Sequence, residues 1–281
     1  MTPAAVGLRC PEHSGKPQGI RRVTTAASQV ATGAGARRAN AVTMVLIAIN
    51  VLVYAGELAS GGTLNGTGDW IYERGALVAD AIYADGSAAG VAHGEWWRLI
   101  TSAFLHYGPV HLAMNMFSLY FVGSLLEQVV GRWRYVLLYV VSGIAGAAGA
   151  LYWTPNGITV GASGAIFGVL GALLVLERRG VIATGGQVFG LIVINLLLGF
   201  GLNVAGGGID NAAHIGGLVC GLLLGATIAP MRAESLHRRW GGAPTIAGIR
   251  EGLIVAGIAA LLLVTFIFWP ALAQLRATLP I

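Results

Sequence analysis

The sequence predicts an all-α fold, a polytopic membrane bundle of about seven transmembrane helices, and three observations carry that prediction. Charged residues make up 10% of the 281 positions and hydrophobic ones 56%, and the mean hydropathy is +0.73. An ordinary soluble domain carries about 25% charged residues. The apolar residues are also gathered into blocks of roughly 20, the length a helix needs to cross a hydrocarbon layer about 30 Å thick. Finally, the cations fall between these blocks with a strong bias in side. The formal charge of +5 therefore reads as membrane topology rather than nucleic-acid binding, for which there is no aromatic-basic platform.

Residues 1–40, rich in Ala, Gly, Thr and Arg, read as a disordered cytoplasmic tail. Within it, Cys10-Pro11-Glu12-His13 has the spacing of half a zinc site. A structural zinc site needs four ligands, and no second pair lies nearby, so no metal and no cofactor is expected. Cys10 and Cys220 sit in such different settings that no disulfide is expected between them. The tail also lacks the apolar core of a cleavable signal peptide.

The first apolar block covers about 41–59, and a polar connection follows from about Ser60 to Trp97. Further blocks lie near 101–126, 133–153, 161–176, 187–204 and 211–230, which makes 41–230 a six-helix core. Residues 231–281 add a cytoplasmic loop and a seventh span near 252–270. With the amino terminus in the cytoplasm, the inner segments hold 14 of the 17 Lys and Arg residues, leaving Arg74, Arg98 and Arg276 outside. That bias obeys the positive-inside rule and places the carboxy terminus outside a multi-pass plasma-membrane protein. Most tryptophans fall near the expected boundaries, as an aromatic belt requires.

This topology brings three polar clusters to one shallow outer layer. The fourth span enters from outside at Gly161-Ala162-Ser163-Gly164, the sixth at Asp210 to His214, and the second carries His106, His111 and Asn115. Ionisable groups inside a membrane are costly and point to function. A serine hydroxyl is a weak nucleophile until a base takes its proton, and neutral imidazole does so near pH 7. His214 is the candidate base for Ser163. His111 and Asn115, spaced i, i+4, share a helix face. Together with the backbone N–H of Ser163, they offer donors for an oxyanion. Glycines at 161, 164, 168 and 171 and at 217, 221 and 225 give both helices small faces for close approach. On their own, such stripes mean only packing.

Taken together, these residues resemble the rhomboid family of intramembrane serine proteases. The resemblance runs over about 41–230: Trp97-Arg98, then His106, His111 and Asn115, Glu127 and Gly131-Arg132, Gly161-Ala162-Ser163-Gly164, and Ala213-His214-Ile215-Gly216-Gly217. It implies a rhomboid-like fold in which a Ser163–His214 dyad cuts a peptide bond in or near a substrate's transmembrane segment, close to the outer face. It also implies that His111 and Asn115 line the oxyanion site and that His106, Gly161 and Phe167 support it. Trp97 and Arg98 belong to a loop partly in the outer leaflet, and the seventh span looks like a six-plus-one arrangement.

Phe167 stands where the family often has tyrosine, so it can stack on His214 but offers no hydroxyl. Asp210 invites a catalytic triad, but an acid at the start of a helix is more often a cap. Glu127, Arg132 and Arg134 are expected to fix the cytoplasmic end of the second hairpin. The implied partners are transmembrane protein substrates and the lipid bilayer. Two rival readings remain. A non-catalytic relative that escorts membrane helices would be expected to lack the serine or the histidine, and this chain keeps both. A small transporter should show paired half-helices from an internal repeat, and none is evident.

Overall fold

In a computed structural model of the chain, residues 2–4, 7–9, 40–64, 68–204 and 209–228 are described. Inside the stretch expected to be a tail, β1 (Thr2–Ala4) pairs antiparallel with β2 (Gly7–Arg9). Cys10 and His13 lie outside the described residues, as do the loop and the seventh span expected within 231–281.

The remaining described chain is a helical bundle. It runs through α1 (Ala41–Ala59), the short α2 (Trp70–Gly75), a two-stranded hairpin of β3 (Ala81–Ile82) and β4 (Ala88–Ala89), and α3 (Arg98–Thr101). The long α4 (Pro109–Val130) and α5 (Arg132–Trp153) follow. They lead to α6 (Ser163–Arg178), α7 (Gln187–Val204) and α8 (Asn211–Ile228). By length and composition, α1, α4, α5 and α8 can each cross a membrane, while α6, with 16 residues, is shorter. At about 1.5 Å per residue it falls short of a full hydrocarbon layer, a deficit that a helix enclosed by others tolerates.

The bundle is organised around α6. Every residue from Gly164 to Leu173 is buried, as expected of a helix that is apolar on all sides. It packs mainly between α5 and α8. The α6–α8 contact is made of backbone. A Cβ added at Gly217 would run into the Gly164 carbonyl oxygen, and one at Gly221 into that of Gly168. On the adjoining face of α8, a Cβ at Gly216 would lie 2.5 Å from the Ala145 oxygen of α5. The glycine stripes thus set interaxial distances that larger residues would forbid.

One boundary differs from expectation. The second span begins at Pro109, not near 101, because Thr101 ends α3 and Ser102–Phe104 form a single 3-10 turn. Gly108, at φ 92°, turns the chain, and Pro109 restarts a helix at its first position, where its missing N–H costs nothing. His106 consequently precedes the second span rather than lying in it.

The end of the bundle at which α1 begins is tied together by Glu127, which is 2% exposed. Its Oε1 accepts the Val42 N–H at 3.0 Å, and its Oε2 accepts both the N–H and the hydroxyl of Thr43 at 2.8 Å. Arg132 Nε lies 3.8 Å from Oε1. A carboxylate on α4 therefore caps the first turn of α1, satisfying donors that no helix can satisfy internally. Replacing Glu127 with alanine is expected to destabilise the protein by about 0.5–2 kcal/mol, the usual cost of losing a cap. Thermal unfolding in detergent measures this, and an unchanged midpoint would refute the capping role.

Candidate active site

The turn before α6 is built to present Ser163. Gly161 adopts φ +121°, a conformation open to glycine and rare for other residues. Its N–H donates to the Ser102 carbonyl at 2.9 Å, and Leu77 and Thr159 exchange backbone bonds just upstream. The first intrahelical bond runs from Ile166 N–H to the Ala162 carbonyl at 3.0 Å. The N–H groups of Ser163, Gly164 and Ala165 therefore lead the helix without intrahelical acceptors, and no side chain caps them. Ser163 itself is half-buried.

His214 is 8% exposed and lies one turn into α8. Its ring stacks on Phe167, with centroids 4.2 Å apart and planes 12° from parallel. Phe167 is one turn below Ser163 on the same face of α6. The backbones meet there as well, since a Cβ at Gly164 would be 3.4 Å from the Ala213 oxygen. Ser163 and His214 thus lie in the first turns, at the amino-terminal ends, of two interlocked helices. Among the described contacts, no hydrogen bond joins them; catalytic bonds are often long before substrate binds.

The second span supplies the opposite wall. A Cβ on Gly161 would lie 2.9 Å from His111 Nε2 and 3.7 Å from Asn115 Nδ2, so the bare glycine leaves room in front of both donors. His111 Nδ1 accepts the Tyr107 N–H at 3.3 Å. A neutral imidazole with Nδ1 as acceptor carries its proton on Nε2, which makes the Gly161-facing nitrogen a donor. Asn115 Nδ2 also donates to the His111 carbonyl at 3.0 Å, fixing its rotamer. His106 is fully buried, with its ring 5.3 Å from that of His111. All the predicted site residues are therefore gathered in one layer, His106 from the turn before the span.

Asp210 behaves as a cap. Its Oδ1 accepts the N–H groups of Ala212 and Ala213 at 2.9 and 3.2 Å. Its Oδ2 accepts the hydroxyls of Thr154 and Thr159 at 3.0 and 2.6 Å. His214 Nδ1 is buried without a partner. The acid is thus committed to starting α8 and tying it to the α5–α6 loop.

The connection before α3 folds around Arg98, which is 1% exposed. Its guanidinium donates to Glu95 at 2.7 Å, to the Glu73 and Ala76 carbonyls at 2.8 and 2.5 Å, and to the Tyr83 hydroxyl at 2.7 Å. Burial pushes the Glu95 carboxyl up, but hydrogen bonds from the Gly90 N–H, Tyr83 and Arg98 outweigh that and hold it below its ordinary value. Trp97, half in solvent, donates its indole N–H to the Arg74 carbonyl at 2.8 Å. The Trp97-Arg98 pair is therefore a loop anchor. Sequence reasoning missed the contributions of Ser102 and Tyr107, which act through backbone groups that no side-chain pattern reveals.

Comparison with known proteins identifies the family. Residues 93–231, which hold every predicted site residue, match the Rhomboid domain. The chain is 30% identical over 211 residues to Rhomboid protease AarA of Providencia stuartii, across 66% of this chain and 71% of that protein. It is 34% identical over 222 residues to Rhomboid protease GluP of Bacillus subtilis (strain 168), across 77% of this chain but 40% of that protein. RHOMBOID-like protein 4 of Arabidopsis thaliana is 40% identical over 133 residues, 47% of this chain and 34% of the plant protein. The chain thus spans less than half the length of these last two relatives. A multi-pass helical membrane fold and matches of this extent show that the chain belongs to the rhomboid family.

Proposed function

We propose that this protein is an intramembrane serine endopeptidase that cuts membrane-protein substrates in or near a transmembrane segment, close to the outer face of the plasma membrane. The observation that carries the reading is the stacking of His214 on Phe167, one turn below Ser163. It supports a base close to the Ser163 turn, on helices whose glycine contacts leave little freedom to part.

In this reading the Ser163 Oγ attacks the scissile carbonyl carbon while its proton passes to His214 Nε2. The resulting oxyanion is met by His111 Nε2–H, Asn115 Nδ2–H and the Ser163 N–H. Collapse breaks the C–N bond, and His214 returns its proton to the leaving amine. Water, deprotonated by the same imidazole, then releases the acyl chain and restores Ser163. His106 and Gly161 act as positioning residues, one behind the His111 ring and one by yielding space. Asp210 has no part in proton transfer, so the machinery is a dyad. The amino terminus lies in the cytoplasm and the carboxy terminus outside, as the distribution of basic residues supports.

The test is chemical. A serine-reactive fluorophosphonate should label the detergent-solubilised protein, and the adduct should map to Ser163 by peptide mass spectrometry. An adduct on another residue, or none under conditions that support cleavage, would sink the assignment.

A further inference from the structure

The segment that leads into α6 is fastened along its backbone. Thr159 exchanges two hydrogen bonds with Leu77, at 3.1 and 3.0 Å, and the Gly161 N–H reaches the Ser102 carbonyl at 2.9 Å. These three bonds fix the segment to the connection between α1 and α4. None of them reaches α8, which carries His214. Gly161 lies two residues before Ser163 and has a glycine's wide backbone freedom. The way the turn presents Ser163 to α8 therefore has to be set from outside the turn.

Asp210 makes that connection. Its Oδ2 accepts the Thr159 hydroxyl at 2.6 Å, within the short range of hydroxyl-to-carboxylate bonds. Its Oδ1 takes the Ala212 and Ala213 N–H groups at 2.9 and 3.2 Å, and its main-chain carbonyl takes the His214 N–H at 3.3 Å. One residue thus bonds to the backbone of His214 and to a side chain four positions before Ser163. The glycine contacts between α6 and α8 are close approaches of backbone, which set how far apart the helices lie. A hydrogen bond is directional, so it also sets how one end is turned and shifted against the other. Asp210 Oδ2 accepts a second hydroxyl, that of Thr154, at 3.0 Å. Thr154 sits at the end of α5 and also bonds back to the Ala150 carbonyl at 2.9 Å, so it holds α5 rather than the nucleophile turn.

We propose that Thr159 is a positioning residue: through Asp210, its hydroxyl holds the turn that carries Ser163 to the turn that carries His214. The role rests on the dyad proposed above and involves no proton transfer. It needs a donor and an acceptor rather than a charge. Asp210→Asn keeps an oxygen for the cap, and its amide can donate to the threonine oxygen, because a hydroxyl also accepts. Thr159→Val nearly preserves shape and removes the donor, while Asp210 Oδ2 keeps its bond from Thr154.

Steady-state cleavage of a model transmembrane substrate by the full chain in detergent tests this, with each variant assayed below its own thermal midpoint. Thr159→Val should lower kcat about tenfold or more, because a shift of about 1 Å at a reacting group can cost 10²-fold. KM should stay within about twofold, since alignment matters to the transition state more than to substrate binding. Thr159→Ser should bring the rate back to within a few-fold of wild type. Thr154→Val, which removes the other hydroxyl on the same oxygen, should cleave like wild type. Asp210→Ala should be at least as slow as Thr159→Val, and combining the two should slow cleavage no further, as expected for two ends of one contact. A wild-type kcat in Thr159→Val would overturn the proposal, as would failure of Thr159→Ser to recover. An equal loss at Thr154→Val would also overturn it, by making the clasp a general fastening of the loop. Fluorophosphonate labelling of Ser163 in the wild type reports on the dyad by itself, so failure of the nucleophile and failure of its positioning are told apart.

Discussion

Ser163→Ala and His214→Ala chains are each expected to cleave a model transmembrane substrate in liposomes at least about 10²–10⁴-fold more slowly than wild type. The double variant should be scarcely slower than either. A hydroxyl without its base and a base without its hydroxyl are equally idle, so losses within such a unit do not add. The same physics predicts what happens at Asp210, whose four hydrogen bonds go to backbone N–H groups and threonine hydroxyls. Asn can accept at the same cap, so Asp210→Asn should cleave within a few-fold of wild type. A deficit at Asp210→Asn as deep as that of His214→Ala would make the machinery a triad. Unimpaired cleavage by His214→Ala would remove the base altogether.

Different parts of this arrangement were legible in the sequence to different degrees, for physical reasons. The apolar block at 161–176 and the helix Ser163–Arg178 nearly coincide, because burial on all sides leaves a continuous apolar signature. The apolar pattern starts the second span near 101, since Phe104 and Leu105 carry hydropathy across a break that Gly108-Pro109 imposes by backbone geometry. Topology and helical rise, which need only local counting, lead to the expectation that Ser163, His214, His111 and Asn115 share one depth.

The Glu127 cap on Thr43 spans 84 positions and could not be counted that way; the sequence placed Glu127 at the right end of the bundle but not its partner. Glu57 passed unnoticed inside the first apolar block, where one acid among 19 residues scarcely lowers the average. That it is buried inside the bundle shows only in the fold. Similarly, spacing alone suggests a donor role for His111, but its tautomer depends on a single N–H, that of Tyr107.

The other large effect is expected at the glycine interlock. Gly217→Val and Gly221→Val should lower the thermal midpoint in detergent and abolish cleavage, with Gly217 the more damaging to activity. At Gly221 an added Cβ collides with the Gly168 carbonyl oxygen, and at Gly217 with that of Gly164. Those obstacles are backbone, so no rotamer change relieves them, and α6 and α8 must separate. Overpacking of this kind costs about 1–3 kcal/mol or more. The cost to chemistry is larger, because Gly217 and Gly164 flank His214 and Ser163, and displacing a reacting group by about 1 Å can cost 10²-fold in rate. Gly190 on α7 serves as the comparison, since a Cβ there meets nothing within 4 Å. Gly190→Ala should match wild type in cleavage and gain slightly in stability from helix propensity. If Gly221→Val were as stable and active as Gly190→Ala, the α6–α8 seam would be slack, and the facing of Ser163 and His214 would need another cause. A fall in cleavage that exceeds the fall in stability at Gly217→Val, but not at Gly221→Val, would locate the sensitive contact at the first turns of α6 and α8, which carry Ser163 and His214.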